Sequence, residues 1–183
     1  MRADAVRNRA KLLAVAIEAF AEHGADTSLD DIAKRAGVGP GTLYRHFPTR
    51  HALLEAAYRE GIDALCAQGD ALAGATAPEE SLATWLRIFV DYLGTKRGLA
   101  AALLTTMDKS DELFVSTHEV MYATGNRLLD AAKEARAVRE DVTLSEIFKL
   151  VHGIGLATDQ LPDRVEQADR LLTIVLDGLR YQR

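Results

Sequence analysis

The sequence predicts an all-α protein, and three observations carry that prediction. Apolar residues recur at i, i+3, i+4 and i+7 along most of the 183-residue chain, and no alternating run bounded by hairpin turns interrupts them. Alanine and leucine are abundant, aromatic residues make up 6%, and the four prolines are Pro40, Pro48, Pro78 and Pro162. The breaks fall where capping chemistry puts them, with glycine past a helix end and serine, threonine or proline at a beginning. A composition of 48% hydrophobic and 27% charged residues excludes a disordered tail.

The first helix reads from about Ala5 to His23, with Leu13, Ile17 and Phe20 on its buried face, and stops at Gly24. Ser28 caps a second helix, with Asp31 in a capping-box-like position and Leu29, Ile32, Ala33 and Ala36 facing inward. Gly37-Val38-Gly39 makes a short turn, and Pro40 opens a third helix of about two turns that ends by Pro48. A longer helix follows from Thr49, presenting Leu53, Leu54, Ala57, Tyr58, Ile62 and Leu65. The small-residue stretch from Ala71 to Pro78 reads as a loop, and Pro78-Glu79-Glu80 starts a helix reaching Tyr92 or Leu93. Further helices are expected over about Lys96–Met107, Ser110–Ala137, Thr143–Thr158 and Asp163–Tyr181.

A single cysteine, Cys66, excludes an intrachain disulfide and a cysteine-rich zinc site, and fits a reducing cytoplasm. Arg7, Arg9 and Lys11 ahead of Leu12 to Phe20 imitate a secretory signal, but Glu18 interrupts the apolar run and the spacing is that of a folded helix. No stretch approaches the roughly 18 apolar residues of a membrane span, so no membrane partner is expected. The net charge of −5 is uneven. Residues 1–60 hold nine Lys/Arg against eight Asp/Glu, whereas residues 61–183 hold thirteen against nineteen, so the two portions are suited to different partners.

The chemistry concentrates in the stretch from Thr27 to Arg50, TSLDDIAKRAGVGPGTLYRHFPTR, which has the layout of a helix-turn-helix. On the third helix, Leu43 and Phe47 share one side, while Arg45 and Gly41 point roughly opposite, with Thr42 and His46 on one flank and Tyr44 on the other. An outward arginine beside a glycine suits a helix in the DNA major groove, because glycine permits close approach and arginine can donate two hydrogen bonds to guanine. Thr42 suits a thymine methyl or a phosphate.

From about Arg7 to Tyr58 the chain resembles the DNA-binding region of the TetR family of bacterial transcriptional repressors, most specifically in Ala36-Gly-Val and Gly41-Thr-Leu-Tyr-Arg-His-Phe47. The resemblance implies that Tyr44 and His46 contact the DNA backbone, and that Arg50, where the family more often has lysine, grips a phosphate. It also implies that Ser28 and the amide end of its helix lie against another phosphate. Gly39, ahead of Pro40, departs from the family's usual serine at the cap of the recognition helix, a change that loses a hydroxyl but caps nearly as well.

One short recognition helix makes few base contacts, so a two-fold homodimer on a palindromic double-stranded DNA operator is expected. Ile147, Val151, Ile154, Leu172, Val175 and Leu179 on the last two helices, with Leu150, Leu156, Leu171 and Ile174 beside them, are the candidate dimer interface, the alternative being that they fill the monomer's core. A sensing pocket for a small apolar or amphipathic ligand is expected from Ile62, Leu65, Trp85, Phe89, Tyr92, Met107, Phe114, His118, Met121, Tyr122 and His152, with Thr105, Thr106 and Asn126 as further polar candidates. Aromatic and methionine stripes at helical spacing are more often core than pocket. No nucleophile elbow, phosphate-cradling loop or HExxH pair occurs, and the five histidines are scattered, so neither an enzyme nor a metal or cofactor site is expected.

The sequence therefore predicts two domains, residues 1–48 for DNA and 49–183 for sensing and dimerisation, joined by the fourth helix. The alternatives are a dimeric DNA-binding regulator without a ligand, and a helical adaptor that binds protein.

Overall fold

A computed structural model describes residues 2–105 and 112–180, and among these the chain is helical throughout apart from short connections. The helices are α1 (Arg2–His23), α2 (Leu29–Arg35), α3 (Pro40–His46), α4 (Arg50–Leu72), α5 (Pro78–Leu104), α6 (Glu112–Glu134), α7 (Leu144–Thr158) and α8 (Arg164–Leu179). Met107 and Thr106 lie outside the described residues. Gly24 adopts the left-handed conformation expected after the first helix, at φ 53°, and opens one 3-10 turn, Gly24–Asp26, that sequence reasoning missed.

Two compact units make up the chain. The first comprises residues 1–62 and 95–116, the second residues 63–94 and 117–183, so α4, α5 and α6 each contribute to both. In the first unit, Leu12, Leu13, Ala16 and Phe20 of α1 pack with Ile32, Ala33, Leu43, Phe47, Leu53 and Leu54, together with Leu99 and Leu103 of α5. Gly98 lets α5 approach α1 here, because a methyl group at that position would lie 2.6 Å from the Phe20 carbonyl oxygen.

The second unit is built around aromatic rings. Trp85 and Phe89 stack at 6.0 Å between centroids, and Phe148 of α7 packs on both, at 6.0 and 4.7 Å. The buried Trp85 indole donates to the Leu65 carbonyl at 3.0 Å, which satisfies its one polar group. Gly69 and Gly125 are the small residues beside the indole, since a methyl at either would come within about 3 Å of it.

The expected break near Gly94 does not occur, and α5 runs unbroken from Pro78 to Leu104. A glycine inside a helix costs about 1 kcal/mol relative to alanine, but here its missing side chain is where the Arg164 guanidinium lies. Arg164 also pairs with Asp91 at 3.2 Å, which ties α8 to α5. At the start of α7 the full capping box forms: Thr143 Oγ1 accepts from Glu146 N at 3.3 Å, and the Glu146 carboxylate accepts from Thr143 N at 2.8 Å. α6 ends earlier than the sequence predicts, because Arg136 turns into the left-handed region at φ 55° and Val138 then pairs with Arg180 beyond α8.

Candidate nucleic-acid interface

The reading head is assembled by local chemistry. Ser28 is the N-cap of α2, and its Oγ accepts from Asp31 N at 3.3 Å. Just before it, the buried Thr27 hydroxyl donates to the carbonyls of Ala19 and Gly24, at 3.0 and 2.8 Å, fixing α2 against the end of α1. Gly37 takes φ 69° after α2, and Val38 N reaches back to the Ala33 carbonyl at 3.0 Å. This is the helix-ending geometry that favours glycine.

Gly39 then caps α3 from an extended backbone, without a side chain, and Pro40 occupies its first turn. Leu43 and Phe47 are buried in the core of the unit, so the opposite side of α3 faces outward. Gly41, Tyr44 and Arg45 are exposed, and Thr42 and His46 are half-buried on the flanks, as the helical spacing predicts. Among the described residues, a side chain added at Gly41 would have no neighbour within 4 Å. Packing therefore does not require glycine at 41.

Two arginines near the head are held by partners within the first unit. Arg35, at the end of α2, bonds Glu22 at 3.2 Å and reaches Glu18 at 3.5 Å, clamping α2 to α1. The Arg50 guanidinium donates to the Thr27 carbonyl and lies 5.2 Å from the centre of the Phe20 ring. Sequence reasoning gave Arg50 only an outward role. Its inward partners lie 23 and 30 residues away, and no local pattern announces them.

In the second unit the structure brings several of the expected pocket residues together. Tyr122 meets Phe148 edge-on at 5.0 Å, His118 lies 4.6 Å from Tyr122, and His152 sits edge-on to Phe89 at 5.5 Å while its Nδ1 is 2.7 Å from the Phe148 carbonyl. Trp85, Phe89 and Met121 are buried, and Tyr92 is half-buried. Leu65 belongs to this unit, and Ile62 and Phe114 to the first. A cavity of about 520 Å³ opens elsewhere in the second unit, among the start of α5, the α6–α7 connection and the end of α8. Leu82, Val138 and Leu179 line it with Arg87, Arg136 and Arg180, and none of the expected pocket residues does.

The apolar residues of α7 and α8 separate into two faces. Ile147, Val151, Ile154, Leu172 and Leu179, expected at a dimer interface, are buried within the single chain, and Val175 is half-buried. The large apolar side chains these helices leave exposed are Leu150 (51%), Leu156 (65%), Val165 (68%), Leu171 (37%) and Ile174 (62%). The sequence pattern alone groups both sets on these helices without separating them by phase.

A short helix that buries one side and offers glycine, arginine and tyrosine on the other, behind a capped helix and a tight turn, is a helix-turn-helix reader of DNA. Residues 12–57 match the family described as bacterial regulatory proteins, tetR family, and residues 77–181 match the C-terminal domain of SbtR-like transcriptional regulators. The chain belongs to the TetR family of DNA-binding transcriptional regulators, which are not enzymes.

Similar proteins bear this out along the whole chain. The TetR transcriptional regulator SCO0520 of Streptomyces coelicolor is 41% identical, over 96% of this chain and 99% of that one, with a TM-score of 0.85. A TetR transcription regulatory protein of Mycobacterium vanbaalenii is 35% identical over 98% of each chain, with a TM-score of 0.79. An HTH-type transcriptional regulator of Staphylococcus aureus is 44% identical over 54 residues, so the chain spans 29% of the length of that curated relative. Among the described residues, no helix is long and apolar enough to cross a membrane.

Proposed function

We propose that the protein is a homodimeric repressor that binds a palindromic operator through α2 and α3 and leaves it when a small apolar or amphipathic ligand binds. The observation that carries this reading is the outward face of α3, where Arg45 stands exposed beside a Gly41 that packing does not require. A helix so furnished enters the major groove closely and offers a bidentate donor to guanine. Tyr44 and His46 flank it toward the backbone, and Thr42 toward a thymine methyl or phosphate. Gly39 and Pro40 set the start of α3, while Ser28 begins α2 at the DNA-facing end.

Residues 1–48 read DNA on this account, and 49–183 sense and dimerise. The exposed Leu150, Leu156, Leu171 and Ile174 supply the apolar surface for a second copy. Ligand is proposed to act on the sensing residues of the second unit grouped about Trp85, Phe89, His118, Met121, Tyr122 and His152, with Leu65 and Tyr92 of the same unit. Movement at the Ile62 and Leu65 end of α4 then changes the spacing of the two recognition helices, which must match half-sites one helical turn or a multiple of it apart. The cytoplasm is the compartment that fits this role.

Selection from a random duplex library, followed by titration of the winning duplex at two salt concentrations, tests the reading. The expected result is a palindrome bound by a dimer with a steep salt dependence. Folded, dimeric protein that enriches no sequence would overturn it in favour of the adaptor. Ligand control adds a reciprocal requirement: an effector that lowers operator affinity must itself bind more weakly to the operator complex, by the same factor.

A further inference from the structure

We propose that Arg9 of α1 is a phosphate-binding residue of the DNA interface, held by Phe47 at the C-terminal end of the recognition helix. The inference rests on the DNA-reading function proposed above. Arg9 lies three, four and seven residues before Leu12, Leu13 and Ala16, so it continues the stripe by which α1 packs into the core. A charge on that stripe needs a reason.

The structure supplies one. The Arg9 side chain is exposed, and its guanidinium carbon lies 5.5 Å from the centre of the Phe47 ring, the residue that closes α3. An aromatic face holds a guanidinium without engaging all of its N–H donors, leaving them for a phosphate. Among the described residues Arg9 makes no ion pair, in contrast to Arg7 with Asp4 and Arg35 with Glu18 and Glu22.

Position favours the same partner. Seven residues of α3 span about 10 Å, close to the roughly 12 Å width of the major groove, so a cation at the end of that helix stands at the groove wall where phosphates lie. Arg50, which the family pattern offers for this task, turns its guanidinium to the Thr27 carbonyl and the Phe20 ring. Arg9 supplies an outward charge on the same unit.

The test compares full-length wild type, Arg9→Ala, Arg9→Lys and Lys11→Ala on the selected duplex across a salt series, with melting followed by circular dichroism. Lys11 is exposed on α1 but off the packing stripe, so Lys11→Ala removes the same charge from another face. Arg9→Ala is expected to flatten the slope of log K against log salt by about 0.9 per subunit, about 1.8 for a dimer. The selected consensus stays the same, Arg9→Lys keeps most of the slope, and Lys11→Ala leaves it unchanged. An Arg9→Ala protein with the wild-type slope overturns the proposal, whether or not its melting temperature falls. Equal flattening by Lys11→Ala also overturns it, since the effect would then be one of total charge. Wild type that selects no duplex defeats the underlying DNA-reading function instead, and this inference with it.

Discussion

The two compact units are held together by different means, and the difference decides what each can do. The first is a core mainly of leucines and alanines, with Phe20, Ile32 and Phe47 among them, and one close backbone approach at Gly98. The second is organised by one cluster of large rings, with Trp85, Phe89 and Phe148 in mutual contact, Tyr122 against Phe148, and histidines 118 and 152 attached to it. A reading head needs fixed geometry, because a base contact tolerates little displacement, and this continuous buried core around α1, α2 and α3 provides that. The sensing role proposed for the second unit needs apolar bulk with a few polar groups placed against it, which the ring cluster would supply.

The sharpest way to break that comparison is Trp85→Ala. Removing a fully buried indole from the centre of the second unit is expected to destabilise it by about 3–5 kcal/mol, measured by denaturant unfolding. Phe148→Leu, which keeps bulk but loses the ring, is expected to cost less. A loss under about 1 kcal/mol for Trp85→Ala would show that the rings are not what organises this unit.

In the first unit the corresponding change is an addition. Gly98→Ala puts a methyl group 2.6 Å from one carbonyl oxygen of α1 and 3.0 Å from the next, neither of which can rotate away. The expected cost is about 1–3 kcal/mol, as for overpacked cores, together with weaker DNA binding as α1 shifts. Hydrogen exchange would place the loosening in α1. Unchanged exchange there would show that α5 moves aside freely and that the approach is not a constraint.

The smallest effect expected is one of pH. Hydrogen bonds from the Thr143 side chain and backbone hold the Glu146 carboxyl below its ordinary range, so its contribution is fully present at neutral pH and is lost as pH falls through that lowered value. Asp141, held down by its bond to Arg139, has the same sign. Glu146→Gln is expected to flatten the acid limb of the stability curve slightly and to leave the neutral plateau nearly unchanged, because glutamine at this position still accepts from the Thr143 backbone N–H. A variant whose acid limb superposes on that of wild type would remove the capping box from the account.

The shape of the reading head was legible because the signals that start, end and orient α2 and α3 lie within a few residues of one another. Ser28 with Asp31, Gly37 after α2, Pro40 before Leu43, and the Leu43–Phe47 spacing are all local signals, and each has the predicted place. What escaped the sequence depends on distant partners. The inward turn of Arg50 depends on Thr27 and Phe20, and the use of Gly94 inside α5 is seen only with Arg164, 70 residues on, whose guanidinium fills the space beside it. On α7 and α8, apolar residues alone do not say which stripe meets the chain and which is left over. The phase emerges only when α5 and α6 are in place beside them, leaving Leu150 and Ile174 outside and Val151 and Leu172 inside. Arg136 in the left-handed region gave no sign either, since its residue type does not favour it.

The central claim is that the exposed side of α3 reads bases through Arg45. Site selection with wild type and with Arg45→Ala, run in parallel on the same random duplexes, tests it most directly. The account predicts that Arg45→Ala loses preference at one position of each half-site, with about 1–3 kcal/mol less binding per lost bidentate contact, and keeps the rest of the consensus. An Arg45→Ala protein that selects the wild-type consensus in full would contradict it.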